Sequence, residues 1–167
     1  MAVTLELERP APTPDTFTRA DLEFRGVDHS GPSFEARIFL ENRRASADTP
    51  RDRSEGYAGS FWVFGHGGCF GELGHCDIPD GPRGPFDRRP AHPLTPQFKT
   101  VIVTEALKQV LQTSEGDTIT MTIVPIVPET QVSGVKIDPN PLKFESVSLL
   151  TFEGPPSGEP PPSDSGV

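Results

Sequence analysis

Cysteine is scarce in this chain, with two in 167 residues, and tryptophan and tyrosine occur once each. Two cysteines cannot make a disulfide scaffold, although they can form one bridge or supply two metal ligands. No window approaches the roughly 20 apolar residues that a membrane-spanning helix needs. The opening MAVTLELERPAPTPD lacks both the basic start and the apolar run of a secretory signal. The expectation is a protein without membrane association, located in the cytoplasm unless it is exported with a partner. Positive charge is also short: 15 Lys and Arg stand against 24 Asp and Glu, for a net charge of -9. Such a body repels a phosphate backbone, and Arg43, Arg44, Arg51, Arg53, Arg83, Arg88 and Arg89 are interleaved with acids instead of forming a stripe. Nucleic acid is not an expected partner.

Motifs of catalysis are missing as well. There is no nucleophile elbow, phosphate-binding glycine loop, paired-histidine helix motif or dinucleotide fingerprint. Asp28, His29 and Ser30 place three triad residue types in a row, but neighbours in sequence point apart, whereas a working triad converges from distant segments. With Gly31 and Pro32 next, the stretch reads as a turn. Carboxylate pairs such as Glu41 with Asp48 and Glu72 with Asp77 fall in polar loops and read as solvated surface. No catalytic residue is assigned.

Proline and glycine are plentiful, at 20 and 16, and between them recur short runs of β-branched and aromatic residues. Strands are expected near Thr4 to Glu8, Ala20 to Val27, Ser33 to Glu41, Tyr57 to Phe64, Lys99 to Val103, Thr118 to Val127, Gln131 to Ile137 and Leu142 to Phe152. In DTITMTIVPIV, Thr118, Thr120 and Thr122 alternate with Ile119, Met121 and Ile123, which predicts one apolar and one wet face. In SFEARIFLEN, Phe34, Ala36, Ile38 and Leu40 share one face, and Glu35, Arg37 and Phe39 the other. Trp62 and Phe64 likewise oppose Phe61 and Val63. Only TEALKQVLQ reads as helix, with Thr104 as its N-cap, Glu105 in the first turn, and Leu107, Val110 and Leu111 on one side.

These elements predict an all-β fold, an antiparallel two-sheet sandwich of about seven or eight strands with one short helix. Residues 1–19 are expected as an N-terminal extension or edge strand, 20–152 as the sandwich, and 153–167 as a disordered tail rich in Pro, Ser and Gly. Between Gly65 and Gln97 runs a Gly/Pro-rich loop of a length uncommon without a function or an anchor.

That loop holds the candidate site. His66, Cys69, His75, Cys76 and His92 are donors suited to copper or zinc, and the surrounding glycines allow the backbone to curl around an ion. Against a structural zinc site, no pair of cysteines lies two to four residues apart, and the adjacent His75 and Cys76 cannot easily aim at one centre. A disulfide between Cys69 and Cys76 is a second reading; closing a loop of about eight residues is worth on the order of 2.5 kcal/mol in the loop-entropy account. Two buried free thiols are a third.

DLEFRGVDHSGPSFEARIFLEN, GYAGSFWVFGHG, HPLTPQFKTVIVTEALKQV and DTITMTIVPIVPE, in that order, resemble the β-sandwich that follows the catalytic domain in type-3 copper proteins, the family of tyrosinases, polyphenol oxidases and haemocyanins. SGVKID, Ser133 to Asp138, is similar to a closing strand of plant relatives, and the resemblance spans roughly residues 20 to 138. It implies an accessory half without the catalytic half, because the family's oxidase centre uses six histidines in a helical domain and this chain has four. The implied role is non-catalytic: a lid, a stabiliser or a copper-loading aid for a type-3 copper oxidase-like partner. No intrinsic cofactor is implied, with copper contacts, if any, made by the loop between Gly65 and Gln97. Two alternatives stand beside it. One is a structural or assembly module forming a homo-oligomer, and the other is an enzyme with a mononuclear metal site built from His66, Cys69, His75 and His92.

Overall fold

Alternation along the chain decides which segments become strands and which way each one faces. The structure, a computed structural model, describes residues 1–65, 96–128 and 140–154. Within them the order is β1 (Val3–Glu8), β2 (Arg19–Val27), β3 (Phe34–Leu40), β4 (Tyr57–Val63), β5 (Gln97–Ile102), α1 (Thr104–Thr113), β6 (Thr118–Ile126) and β7 (Ser146–Phe152). Two antiparallel sheets result, one ordered β1-β6-β3-β4 and the other β5-β2-β7. This is the all-β sandwich that the sequence predicts. The eighth expected strand, Gln131 to Ile137, lies outside the described residues, as does the tail from residue 155.

The core sits between the sheets. Phe34, Ala36, Ile38 and Leu40 of β3, with Ile119, Met121 and Ile123 of β6 and Phe61 and Val63 of β4, meet Ala20, Leu22 and Phe24 of β2. Register brings like faces together: Ile38 stands opposite Ile123, Leu40 opposite Met121 and Ala36 opposite Phe61. Phe24 ties the layers, its ring 4.9 Å from Phe61 across the sandwich and 5.5 Å from Phe144, edge-on to the latter. Leu7 and Phe17 are buried in the same core, so the first 19 residues help to build it, with β1 as an edge strand. Where the edges β4 and β5 of the two sheets come together, Gly59 has φ 152°, and a Cβ there would lie 2.7 Å from Val101 Cγ1. Only a residue without a side chain allows that approach.

Helix α1 closes one end of the sandwich, burying Ala106, Leu107 and Val110. Its start differs from the expectation. Thr104 is the first helical residue instead of the cap, and its hydroxyl accepts the Ala20 N–H at 3.0 Å, while the Val103 N–H donates to Ala20 O at 2.8 Å. Because the helix follows β5 without a loop, the hydroxyl completes the β2–β5 ladder and is not free to cap.

The predicted wet face of β6 is also a misreading. Thr120 is 6% exposed and Thr122 fully buried, because β6 lies between β1 and β3 and the segment 41–56 folds over the outer side of this sheet. Phe39, Ala45 and Val124 form a second small apolar cluster there, with the Tyr57 ring packed on Phe39. The segment leaves β3 at Glu41, which takes the left-handed conformation with φ 54°. Glu41 continues the ladder by other means: its N–H donates to Thr120 O at 2.8 Å and its carboxylate accepts the Thr120 N–H at 2.8 Å. Pro125 sits beyond the last β1 pair, where the lost N–H has no strand to bond.

Glu35 anchors this cover. It is 1% exposed on the outer face of β3, and its Oε2 accepts from Arg37 Nε at 3.1 Å and Arg51 Nη2 at 2.7 Å. Arg37 in turn donates to the Ala47 carbonyl at 3.0 Å. Its other oxygen, Oε1, is buried with no hydrogen-bond partner among the described residues. A buried charge that loses a partner is costly, whereas an exposed residue of the same loop is not. Arg51→Ala is therefore expected to lower unfolding stability by about 1–2 kcal/mol in urea titrations, and Ser54→Ala to change it by less than about 0.5 kcal/mol.

Candidate functional site

Both stems of the long Gly/Pro-rich loop rest on one turn, residues 28–33, which joins β2 to β3. The outgoing stem is Gly65, whose N–H donates to Ser33 Oγ at 3.0 Å. Backbone atoms crowd it so closely that a Cβ on Gly65 would lie 2.1 Å from the Gly31 carbonyl oxygen and 2.3 Å from the Pro32 carbonyl carbon. The returning stem is Gln97 at the start of β5, whose Nε2 lies 3.2 Å from His29 Nδ1. His29 is 8% exposed, and Gln97 Oε1 is buried without a hydrogen-bond partner among the described residues. With the amide donating, Nδ1 accepts, and a neutral imidazole carries its proton on Nε2.

The turn is locally determined. Asp28 Oδ1 accepts the Ser30 N–H at 2.8 Å, an Asx turn, and the Asp28 N–H donates to the Lys143 carbonyl at 3.0 Å. Burial pushes the Asp28 carboxyl up, but the Ser30 N–H and hydroxyl, together with the charges of Lys143 and His29, outweigh it and hold the group below the ordinary aspartate range. Asp28 is thus bonded to Ser30 while His29 is turned to Gln97, and no Ser–His–Asp relay forms from these neighbours. The turn reading of the sequence agrees with this geometry.

His66, Cys69, His75, Cys76 and His92 all lie outside the described residues, and so does a Cys69 to Cys76 bridge. Among the described residues no group of three or more His, Cys, Asp or Glu side chains is placed to hold a metal ion. No described helix is long and apolar enough to cross a membrane. A cavity of about 500 Å³ opens elsewhere, between α1 and the 41–57 segment. Glu41, Glu55, Arg44 and Arg53 line it, so charges of both signs balance and no ligand class is selected.

Two features escaped the residue-by-residue reading. The buried Glu35 was visible only as a member of a polar face, since nothing local in SFEARIFLEN says that a distant loop will cover it. The stem contact of His29 with Gln97 joins residues 68 apart in sequence. Its only sequence signal is a polar residue at each side of a long insertion.

No family profile matches the chain, and no curated protein matches it. Solved structures do. A recombinantly expressed latent aurone synthase, a polyphenol oxidase, matches with a TM-score of 0.52 at 15% identity, over 92% of this chain and 24% of that one. The same enzyme from its natural source matches with a TM-score of 0.52 at 16% identity, over 92% of this chain and 25% of that one. The fold is similar to one region of a polyphenol oxidase. This chain spans about a quarter of the length of those proteins. At such identities the likeness is one of fold, and it coincides with the family resemblance carried by the sequence segments.

The depressed Asp28 carboxyl carries a sign. Its folded-state pKa lies below the unfolded value of about 3.9, so its contribution is present above that pH and is lost as pH falls through the folded value. Wild type is expected to exceed Asp28→Asn in stability near pH 6. The gap should close as pH falls toward 3, measured by thermal unfolding across that range.

Proposed function

We propose that this chain acts as a non-catalytic accessory domain to a type-3 copper oxidase-like protein, serving as its lid or stabiliser. One observation carries the reading: 92% of the chain overlays about a quarter of a latent polyphenol oxidase. A domain of this shape therefore occurs within a copper-oxidase chain, beside three-quarters of other polypeptide. The sandwich supplies the body, and the turn at 28–33 holds the described residues on either side of the long Gly/Pro-rich segment, Gly65 and Gln97.

The described residues do not fit a copper centre, since no donor set converges on them. In the lid or stabiliser role the described residues of this chain contribute surface and shape. A copper-loading role is the finer version of the proposal. It rests on His66, Cys69, His75, Cys76 and His92 in the sequence alone, and metal analysis of protein purified without chelator tests it separately. Copper well below one equivalent removes loading while leaving the lid role intact.

The test of the main reading is co-expression with a helical type-3 copper oxidase that lacks a sandwich domain of its own. Expected are a co-eluting complex, a raised thermal midpoint of the oxidase and a lowered turnover of a phenolic substrate relative to the oxidase alone. Two independently soluble proteins that never co-elute, with the oxidase fully active in both preparations, overturn it.

A further inference from the structure

The two sheets treat their outer faces differently. On the β1-β6-β3-β4 sheet the 41–56 segment covers the outer side of β3 and β6 through Glu35, Arg51 and the Phe39, Ala45, Val124 cluster, and leaves Trp62 and Phe64 exposed along the β4 edge alone. The outer face of β5-β2-β7 instead exposes large apolar side chains on both flanks. Phe98 and Ile102 of β5 are 52% and 59% exposed, and Leu150 and Phe152 of β7 are 37% and 43% exposed. Ile102 and Leu150 stand in register on either side of Asp21, and Phe152 stands beside Arg19. Four half-exposed side chains of this size present on the order of 400 Å² of apolar surface, which is as much as monomeric proteins ordinarily leave in one patch.

The strip between the flanks is charged yet neutral. Along β2, Arg19 pairs with Asp21 at 2.8 Å and Arg25 with Glu23 at 3.1 Å, each two residues apart on the same face. Arg25 also lies over the Phe98 ring, 5.4 Å from its centre. Two arginines and two carboxylates cancel, on a chain whose net charge is -9. A second copy approaching any acidic part of the molecule is repelled, whereas this face presents no net charge and already holds its ion pairs. It asks nothing of an incoming surface except apolar contact and shape.

We propose that the outer face of the β5-β2-β7 sheet is a self-association surface, covered in solution by the same face of a second copy. Flat sheet faces pack about 10 Å apart with side chains interleaved. With the polar strip added to the flanks, each copy buries on the order of 600 Å², at the lower limit of a specific interface. The dimer is accordingly weak, with a dissociation constant in the micromolar range or above. It stands apart from the oxidase reading, because the chain alone reveals it.

Sedimentation equilibrium of the full chain over a concentration series, at low and at moderate salt, tests the proposal. A reversible monomer–dimer equilibrium is expected, and raising salt from about 20 to 300 mM should tighten it, since screening relieves the repulsion between copies while the apolar contact is unaffected. Ile102→Glu combined with Leu150→Glu should raise the dissociation constant at least about tenfold. Phe64→Glu adds half of that charge at a site 76% exposed outside this face and should leave it within about twofold. Ile102→Gln with Phe152→Gln, checked for an unchanged thermal midpoint at high dilution, serves if the glutamate pair does not fold. Monomer at every concentration and both salts overturns the proposal. So does a dimer lost with Phe64→Glu but kept with the Ile102 and Leu150 changes. If the chain stays monomeric while those changes abolish co-elution with an oxidase, the face belongs to that partner, and the self-association is equally overturned.

Discussion

Strand β3 is buried on both sides, and much of the molecule is arranged to meet that requirement. Its inward face, from Phe34 to Leu40, is apolar and needs only the opposing sheet. Its outward face carries Glu35, Arg37 and Phe39, and burying a carboxylate there is unfavourable unless partners come with it. The partners come from Arg37 two residues on and from Arg51 in the following segment, which must therefore fold back across the sheet. Glu41 bends the chain at once after the strand, and Gly56, with φ 82° and the Leu40 carbonyl where its Cβ would be, returns it. The covered outer face then admits Thr120 and Thr122 of β6 into nearly dry surroundings, where Thr122 pairs with Thr4 and Thr120 with Glu6. Burial of one strand thus fixes the course of a long polar loop.

The second sheet meets its demand differently. Its buried carboxylate, Asp21, is paired within the same strand by Arg19, as Glu23 is by Arg25, and among the described residues no segment is drawn over them. What stays outside is a neutral charged strip flanked by the apolar side chains of β5 and β7. The two sheets thus differ in what they leave outside: the β4 edge with Trp62 and Phe64 on one, and both flanks, β5 and β7, on the other.

Much of the fold was legible because period-two alternation is a strong signal when one face is fully apolar. SFEARIFLEN, GSFWVF and DTITMTIV fell into strands with the correct inward residues: Ile38, Phe61 and Met121 are buried, and Trp62 and Phe64 are exposed. Alternation says which residues oppose each other and not whether the polar side meets water. For that reason the wet face expected for Thr120 and Thr122 is buried, and the shared face of Glu35, Arg37 and Phe39 carries no sign in sequence of the cover it receives. Thr104 was misread for a related reason, because a threonine at a helix start has two competing uses and a distant strand, β2, decided between them. The candidate site was legible only in part. The donors of the loop are visible in sequence, whereas its anchorage on His29, Ser33 and Gln97 depends on contacts between residues far apart along the chain.

That anchorage fixes where the long Gly/Pro-rich segment leaves and rejoins the sandwich. Closing a long loop costs entropy that grows only slowly with its length, so most of the constraint lies in where the ends are held. Here both ends are held by one turn of six residues, itself fixed by the Asp28 carboxylate on the Ser30 N–H and by the Lys143 carbonyl. Gly65 fits only because it has no side chain, and Gln97 is seated against a buried imidazole. The sandwich consequently holds both ends of the segment from a fixed base, so that their separation is set by the turn carrying Ser33 and His29 and not by the length of chain between them.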